Sequence, residues 1–277
     1  DDHGARLVQA PDAYDSPWAR PAGFAFSSVY DLARFVTFLE DGNDAVLPSE
    51  QRLAMQTQQI NTEGGHGDIS GYGYALFVDK GFNLHDGYHM TTLISHGGDI
   101  PGFAADVFFV PSTKFAVIAL SNADGAHFTE SVAFALEKFA GLSAPTAAPS
   151  FPVDPATFAS LAKTYQDDFN VGRVVVTTTA NGLSISMPDV EAAGIPYDPK
   201  LVAIAPDNFV LKIQGIQTVI TFLRDGNGDG EYIRHRAFVA KRSDVAVARR
   251  IDARALRLRL NENAIRERLV TLPAASR

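Results

Sequence analysis

The sequence predicts an α+β protein: an antiparallel sheet covered by helices, followed by a small antiparallel β-barrel domain and a C-terminal helix. Three observations predict it. The runs Met90 to Ser95, Ala104 to Val110 and Phe115 to Leu120 are almost continuously apolar, as strands covered on both faces require, and helix-period segments flank them. A stretch rich in Pro and Ala, Ser143 to Pro152, then breaks the pattern. Beyond it the period changes to two, through short segments joined by Gly, Asn and Asp turns.

Length and composition agree with that division. A chain of 277 residues suits two domains with real apolar cores. The expected organisation is a sheet domain over 1–142, a linker over 143–153, a barrel over 154–242 and a basic helical tail over 243–277. The formal net charge of −8 gives no reason to expect nucleic acid as a partner. From Lys241 onward, ten Lys or Arg face four acids, so a net +6 at the C-terminus stands against −14 upstream. There is no cysteine, which excludes disulfides and thiol catalysis and is compatible with export. No apolar run reaches transmembrane length. The start at Asp1-Asp2-His3-Gly4 is not that of a signal peptide, and reads as a processed product or a fragment.

The elements follow in order. Residues 1 to 26 read as an ordered loop. Ser27 or Ser28 caps a helix with Val29, Leu32, Phe35, Val36 and Leu39 at helical spacing and Gly42 as its stop. A second helix starts at Pro48-Ser49-Glu50, with Leu53 and Met55 as expected contacts. Gly71 to Val78 reads as one strand opened by glycines, and Asp79 to Gly87 as a turn or short excursion. Thr129 to Phe139 is a helix capped by Thr129, with Val132, Ala133, Leu136 and Phe139 on one side and Gly141 at its end. Asp154-Pro155 starts a short helix through Leu161. Strands are expected at Arg173–Thr179, Leu183–Met187, Leu201–Ala205, Asn208–Ile213, Thr218–Leu223 and Glu231–Ala240, a meander that avoids open edges by closing. Val245 to Leu269 is helix-favouring and carries seven arginines. A solvated arginine face is the favoured reading there, with contact to a membrane or a partner as the alternative.

The stretch with most chemical content is Leu93-Ile94-Ser95-His96-Gly97-Gly98-Asp99-Ile100-Pro101-Gly102-Phe103. It reads as strand, glycine turn, strand, with Pro101-Gly102 leading into the second strand. A histidine at a strand end beside bare backbone suits a ligand approaching the main chain, whose N–H groups then face a developing oxyanion. A plain hairpin with a surface histidine is the competing reading.

Several pieces resemble, in order, the C-terminal half of the serine β-lactamase and D-alanyl-D-alanine peptidase-like hydrolases, especially the class C β-lactamase-related esterases and peptidases. Pro21-Ala22-Gly23-Phe24 with Ser27-Ser28 and Asp31 to Phe35 is similar to a segment before a helix of that family's all-α region. Gly71-Tyr72-Gly73-Tyr74 is similar to its glycine-aromatic strand. His96-Gly97-Gly98 followed by Pro101-Gly102-Phe103 is similar to its third active-site box, where relatives carry Lys-Thr-Gly or His-x-Gly, and Ser121-Asn122 ends the next strand. The meander beyond the linker is similar to the lipocalin-like domain that many of these hydrolases append. The resemblance implies an incomplete β-lactamase/transpeptidase-like domain in which His96, Gly97 and Gly98 line one wall of the site. His96 would contact substrate or the catalytic tyrosine, and the backbone N–H of Asp99 would be one oxyanion donor. Tyr72, Tyr74 and Phe103 are the expected substrate contacts. No cofactor and no metal is implied, the substrate is a small amide, ester or peptide, and the location is periplasmic or extracellular.

The family acts through Ser-x-x-Lys and Tyr-x-Asn, because a serine hydroxyl is unreactive without an adjacent base. The matching region has neither motif. The single Ser-x-x-Lys, Ser160-Leu161-Ala162-Lys163, lies after the linker and out of order. The expectation is therefore a chain that is inactive alone, whose partner is the N-terminal half of the same hydrolase, carrying the nucleophile and covering the apolar strand Phe115 to Leu120. Two other classes compete. One is a non-catalytic module binding through the barrel or the basic helix. The other is a metal site at His85 and His89, or a calcium loop at Asp225, Asn227 and Asp229. Gly87 argues against the first metal site, and Arg236, at the position of the bidentate glutamate, against the second.

Overall fold

The computed structural model describes residues 20–23, 25–62, 69–100, 102–123, 126, 128–243, 251–261 and 264–271. The chain divides into two units, one made of the residues up to Asn61 together with Ile69–Thr146, the other mainly of Ala147 onward. The expected loop over 1–26 lies largely outside the described residues.

In the first unit, helix α1 (Val29–Asp41) starts at Ser28, whose Oγ accepts the Asp31 N–H at 3.2 Å. Its buried stripe is narrower than its apolar spacing, since Val36 and Leu39 are buried but Val29 and Phe35 are exposed. In α2 (Ser49–Met55) the expected contact Leu53 is exposed and Arg52 is buried instead. The Arg52 guanidinium pairs with Asp44 at 2.8 Å and lies over the Phe38 ring, so its stem packs while its charge is met.

The sheet order is β1-β2-β3-β6-β7-β8, antiparallel throughout, with β1 Ile60–Asn61, β2 Ser70–Tyr72, β3 Phe77–Asp79, β6 Leu93–Ile100, β7 Phe103–Val110 and β8 Phe115–Ser121. Gly71 to Val78 is not one strand. The Gly73 N–H donates to the Leu76 carbonyl at 2.8 Å and Ala75 sits at φ 64°, so the chain reverses between β2 and β3. Gly73 is needed there, because a Cβ would overlap the Met55 carbonyl oxygen. The expected excursion after Asp79 is a hairpin of its own, β4 (Phe82–Leu84) and β5 (Gly87–His89). Gly97-Gly98 is not a turn either. Both glycines run inside β6, paired with Asp106 and Ala105, and the reversal comes at Gly102, φ 88°.

Helix α3 (Thr129–Phe139) begins after Phe128 without a side-chain cap, so Thr129 does not serve as one. Val132, Ala133 and Leu136 are buried as expected, whereas Phe139 is exposed and Gly141, φ 64°, ends the helix. Helices α1 and α3 both pack against β8, and α1 shares a core of Val36, Leu39, Leu76, Ile94 and Phe109 with the sheet. The start of the Ser143–Pro152 stretch is tied down. The Thr146 N–H donates to the Tyr88 carbonyl at 2.7 Å, and His89 Nδ1 donates to the Ser143 carbonyl at 3.0 Å.

The second unit opens on a 3-10 turn, Pro155–Ser160, capped by Asp154. A closed antiparallel barrel follows, ordered β10-β11-β12-β13-β14-β15-β16-β9. Its strands are β9 Thr164–Asp167, β10 Gly172–Thr179, β11 Gly182–Ser186, β12 Tyr197–Ala205, β13 Asn208–Ile213, β14 Ile216–Arg224, β15 Gly230–His235 and β16 Phe238–Arg242. Closure is made by Lys241 opposite Gln166 and Arg242 opposite Tyr165. Period-two alternation fills the interior with interlocked rings, among them Phe209 against Phe222 at 5.4 Å and Tyr165 against Phe222 at 5.9 Å. Three readings are corrected. Strand β9 and the short helix α4 (Pro188–Ala192) have no counterpart among the expected elements, and Glu231 to Ala240 is two strands. The last pair turns at His235, whose Nδ1 accepts the Ala237 N–H at 3.0 Å while Nε2 meets the Thr218 hydroxyl at 2.7 Å.

The basic segment forms α5 (Ala253–Asn261) and α6 (Ala264–Val270), both packed against β14. Leu256, Leu260, Ile265 and Leu269 are buried, Arg254, Arg259 and Arg268 are exposed, and Arg266 is buried. Arg249 and Arg250 lie outside the described residues. No helix among the described residues is long and apolar enough to cross a membrane.

The barrel has a sensitive contact at Gly230. The buried Tyr165 hydroxyl donates to the Leu161 carbonyl at 2.8 Å, and a Cβ on Gly230 would overlap that hydroxyl. Gly230→Ala should destabilise the chain by about 1–3 kcal/mol, and Tyr165→Phe by about 1 kcal/mol. The double variant should cost clearly less than the two together, because phenylalanine vacates the contested space. Urea unfolding of the four proteins measures the coupling, and strictly additive costs would contradict it.

Candidate active site

Alternation along β6 and β7 sorts the candidate residues onto two faces. Ile94 pairs with Phe109, His96 with Val107, Gly98 with Ala105 and Ile100 with Phe103. This face carries the α1 core at its Ile94 end, where Ile94 and Phe109 are buried, and it opens toward Phe103, which is 46% exposed. His96 stands between the two. Next to it on the same face is Gly98, which is exposed, and a Cβ there would meet no described atom within 4 Å. The imidazole therefore adjoins bare main chain, in an extended strand rather than a turn.

Two rings set the imidazole. His96 Nε2 lies 3.1 Å from the Tyr72 hydroxyl. The Phe77 ring stacks on His96 at 5.7 Å with 29° between planes, and Tyr72 meets Phe77 edge-on at 4.8 Å. Tyr72 and Phe77 are a cross-strand pair of the β2–β3 hairpin, and Phe77 pairs with Ser95 of β6, next to His96. Of the three expected substrate contacts, the structure brings Tyr72 to His96. Tyr74 is exposed in the β2–β3 turn and Phe103 is exposed at the far end of the His96 face.

The other face carries Ser95, Gly97 and Asp99 from β6, with Asp106 of β7 opposite Gly97. Burial, and then the charge of Asp99, push the Asp106 carboxyl up to about 7. Two of these participants are not among the residues expected from sequence. Phe77 is hidden when its hairpin is read as one strand. Asp106 becomes visible once the reversal is placed at Gly102, because the register then sets it against Gly97.

The remaining sequence candidates are held by other partners. Ser160 Oγ donates to the Thr157 carbonyl and accepts from Arg224, both at 2.6 Å, while Lys163 pairs with Asp229 at 3.4 Å, so this serine and lysine do not act together. His85 lies between Glu130 and Glu137, at 3.3 and 3.2 Å, while His89 turns to Asp86 and Ser143. Among the described residues no His, Asp and Glu cluster is arranged to hold a metal ion. Asp225 accepts the N–H groups of Asn227 and Asp229 and pairs with Arg242 at 2.8 Å, the bonding of a polar hairpin turn.

Asp106 makes the stability of this face depend on pH. The folded chain retains a proton that an unfolded aspartate releases near pH 4. Asp106 therefore costs nothing below about pH 4, and its penalty grows as pH rises to about 7 and is complete above that. Asp106→Asn should leave stability near pH 4 almost unchanged and raise it at pH 8 by an amount on the order of 2–4 kcal/mol. Urea unfolding at pH 4, 5.5 and 8 checks this, and an unchanged pH slope would contradict it.

Residues 2–141, half of the chain, match the family model described as Beta-lactamase. Among solved structures, SurE aligns at 22% identity and a TM-score of 0.50, covering 78% of this chain and 48% of that chain. SurE with D-Leu aligns at 19% identity and a TM-score of 0.48, covering 78% and 50%. The octameric penicillin-binding protein homologue from Pyrococcus abyssi aligns at 19% identity and a TM-score of 0.37, covering 77% and 46%. The chain spans about half the length of these structures. A comparison with curated proteins found no match. The likeness to SurE is one of fold. The match over residues 2–141 includes the helix-flanked antiparallel sheet that carries His96-Gly97-Gly98, and the chain belongs to the Beta-lactamase family.

Proposed function

We propose that this chain supplies one wall of a serine hydrolase site that works through an acyl-enzyme on small amide, ester or peptide substrates. The observation that carries the reading is the His96 imidazole beside the uncovered backbone of Gly98, on a strand of a Beta-lactamase family sheet. In this mechanism a serine hydroxyl attacks the substrate carbonyl carbon as its proton passes to a lysine–tyrosine base. The Asp99 N–H, with the N–H of the serine, stabilises the tetrahedral oxyanion. Collapse expels the amine or alcohol with that proton and leaves the acyl-serine, which water hydrolyses. Tyr74 and Phe103 offer exposed aromatic surface to the substrate.

The nucleophile and base come, in this proposal, from a segment outside these 277 residues, because the family-matched region contains neither Ser-x-x-Lys nor Tyr-x-Asn. The same segment would add a strand beside β8, whose sequence Phe-Ala-Val-Ile-Ala-Leu-Ser carries no charge, proline or bulge to blunt an edge. Domain limits of 1–142, 143–153, 154–242 and 243–277 and an exported location belong to the same proposal. So does a lipocalin-like ancestry for the barrel. Its interlocked rings favour a structural role over ligand binding.

A fluorophosphonate probe tests the reading. The 277-residue chain should remain unlabelled, and the same chain joined to its Ser-x-x-Lys segment should be labelled at that serine. In the joined protein His96→Ala should slow turnover by about 10²-fold or more. Labelling of the 277-residue chain at a defined serine, or turnover indifferent to His96→Ala, would overturn it.

A further inference from the structure

The Gly-Tyr-Gly-Tyr motif brings a second hydroxyl-bearing residue to the site, and its geometry assigns it a different task from substrate binding. Tyr72 Oη is within hydrogen-bond distance of His96 Nε2, at 3.1 Å. A single hydrogen bond leaves an imidazole able to swing about its ring axis. Here a second constraint removes that motion, since Phe77 stacks on the imidazole and is itself braced edge-on by Tyr72. The brace is built into the backbone. Tyr72 and Phe77 face each other across β2–β3, the turn between them is closed by the Gly73 to Leu76 hydrogen bond with Ala75 at φ 64°, and Gly73 is pressed against the end of α2. A tyrosine held this firmly costs little additional conformational entropy to keep its hydroxyl on one nitrogen.

We infer that Tyr72 is a positioning residue that fixes the orientation of His96 through Nε2, with Phe77 as the brace, rather than a residue that binds substrate. The inference rests on His96 being part of the active-site wall for its catalytic meaning, and not for its structural one. A phenol at Nε2 either donates to that nitrogen or accepts its N–H, according to the tautomer, and in both cases holds the ring in one orientation. The sequence expectation that places Tyr72 among the substrate contacts is replaced by this reading. Tyr74, two residues on and exposed, keeps that expectation.

Tyr72→Phe removes the hydroxyl and keeps the ring against Phe77. In the 277-residue chain, ¹⁵N–¹H NMR of the imidazoles, with the His96 resonances identified by their loss in His96→Gln, should show the His96 Nε2 signal displaced in Tyr72→Phe. The signals of His85, His89 and His235 should stay in place. An unmoved Nε2 signal in a folded variant overturns the inference, whatever the activity of the chain. In the protein carrying its nucleophile segment, Tyr72→Phe should lower kcat about tenfold with KM nearly constant and alter the pH profile, while Phe77→Leu gives a smaller loss of the same kind. A rise in KM with kcat unchanged would return Tyr72 to substrate binding. Absence of any hydrolysis in the unsubstituted protein would defeat the proposed function, and the displacement of the Nε2 signal would then decide the role of Tyr72 by itself.

Discussion

The register of β6 against β7 is the constraint on which the first unit depends. Seven consecutive pairs, from Ile94 opposite Phe109 to Ile100 opposite Phe103, fix the face of every side chain, and a slip of one residue would exchange the faces. Ile94 and Phe109 bury against α1, which pins the ladder at one end. His96 and Gly98 are then carried to the same side, one and two steps along, where the helix no longer covers the sheet. Asp99 and Asp106 are carried to the other. One apolar pair thereby decides both which face carries the imidazole and which carries the half-buried acidic pair.

The barrel meets the strand-edge problem differently, and its seam shows how. The β11–β12 ladder consists of Leu183 opposite Leu201 and Ser184 opposite Lys200, after which the strands part. Continuing the ladder would set Pro199 opposite Ile185, and proline has no N–H to give. Side chains take over the lost bonds. Ser184 Oγ donates to the Pro199 carbonyl at 3.2 Å, the Met187 N–H donates to the Tyr197 hydroxyl at 2.9 Å, and that hydroxyl donates to Glu191 of α4. Burial and the contact with Glu191 together raise the Tyr197 phenol above its ordinary value. A closed barrel tolerates such a gap because the other seams retain their backbone pairing.

How much of this was legible in the sequence depends on what signal each element leaves. Period and caps are local, so α1 from Ser28, the strands β7, β8, β10, β13 and the meander were readable in place. Reversals made without an Asn-Gly or Pro-Gly signature were not. The turn at Gly73–Leu76 relies on Ala75 at positive φ, a conformation that alanine rarely adopts and no propensity announces. The opposite error befell Gly97-Gly98, where two glycines imitate a turn and are instead extended backbone left bare. Helix faces were overestimated for a geometric reason. Val29, Phe35 and Phe139 have helical spacing but sit at the margins of stripes whose centres, Val36 and Leu39 in α1 and Val132, Ala133 and Leu136 in α3, are the buried positions. The basic tail was read by its charge, although its leucines decide its place on β14.

The site was half legible for the same reason. His96 with its glycines is contiguous in sequence, so a motif finds it. Phe77 and Tyr72 come beside His96, and Asp106 comes opposite Gly97 on the other face, through pairing between strands, and each needs a correct reversal before its register can be counted. Once the reversals at Gly73–Leu76 and Gly102 are placed, the alternation that puts Ile94 in the α1 core also puts His96 on the open side, and the pairing of Tyr72 with Phe77 and of Phe77 with Ser95 brings the β2–β3 hairpin alongside, where its rings reach the imidazole. The surroundings of His96 are thus a consequence of strand pairing. A substitution that loosened the β2–β3 turn would act on His96 without touching it, because the imidazole is held by a hairpin whose conformation is decided at Gly73 and Ala75, away from the ring itself.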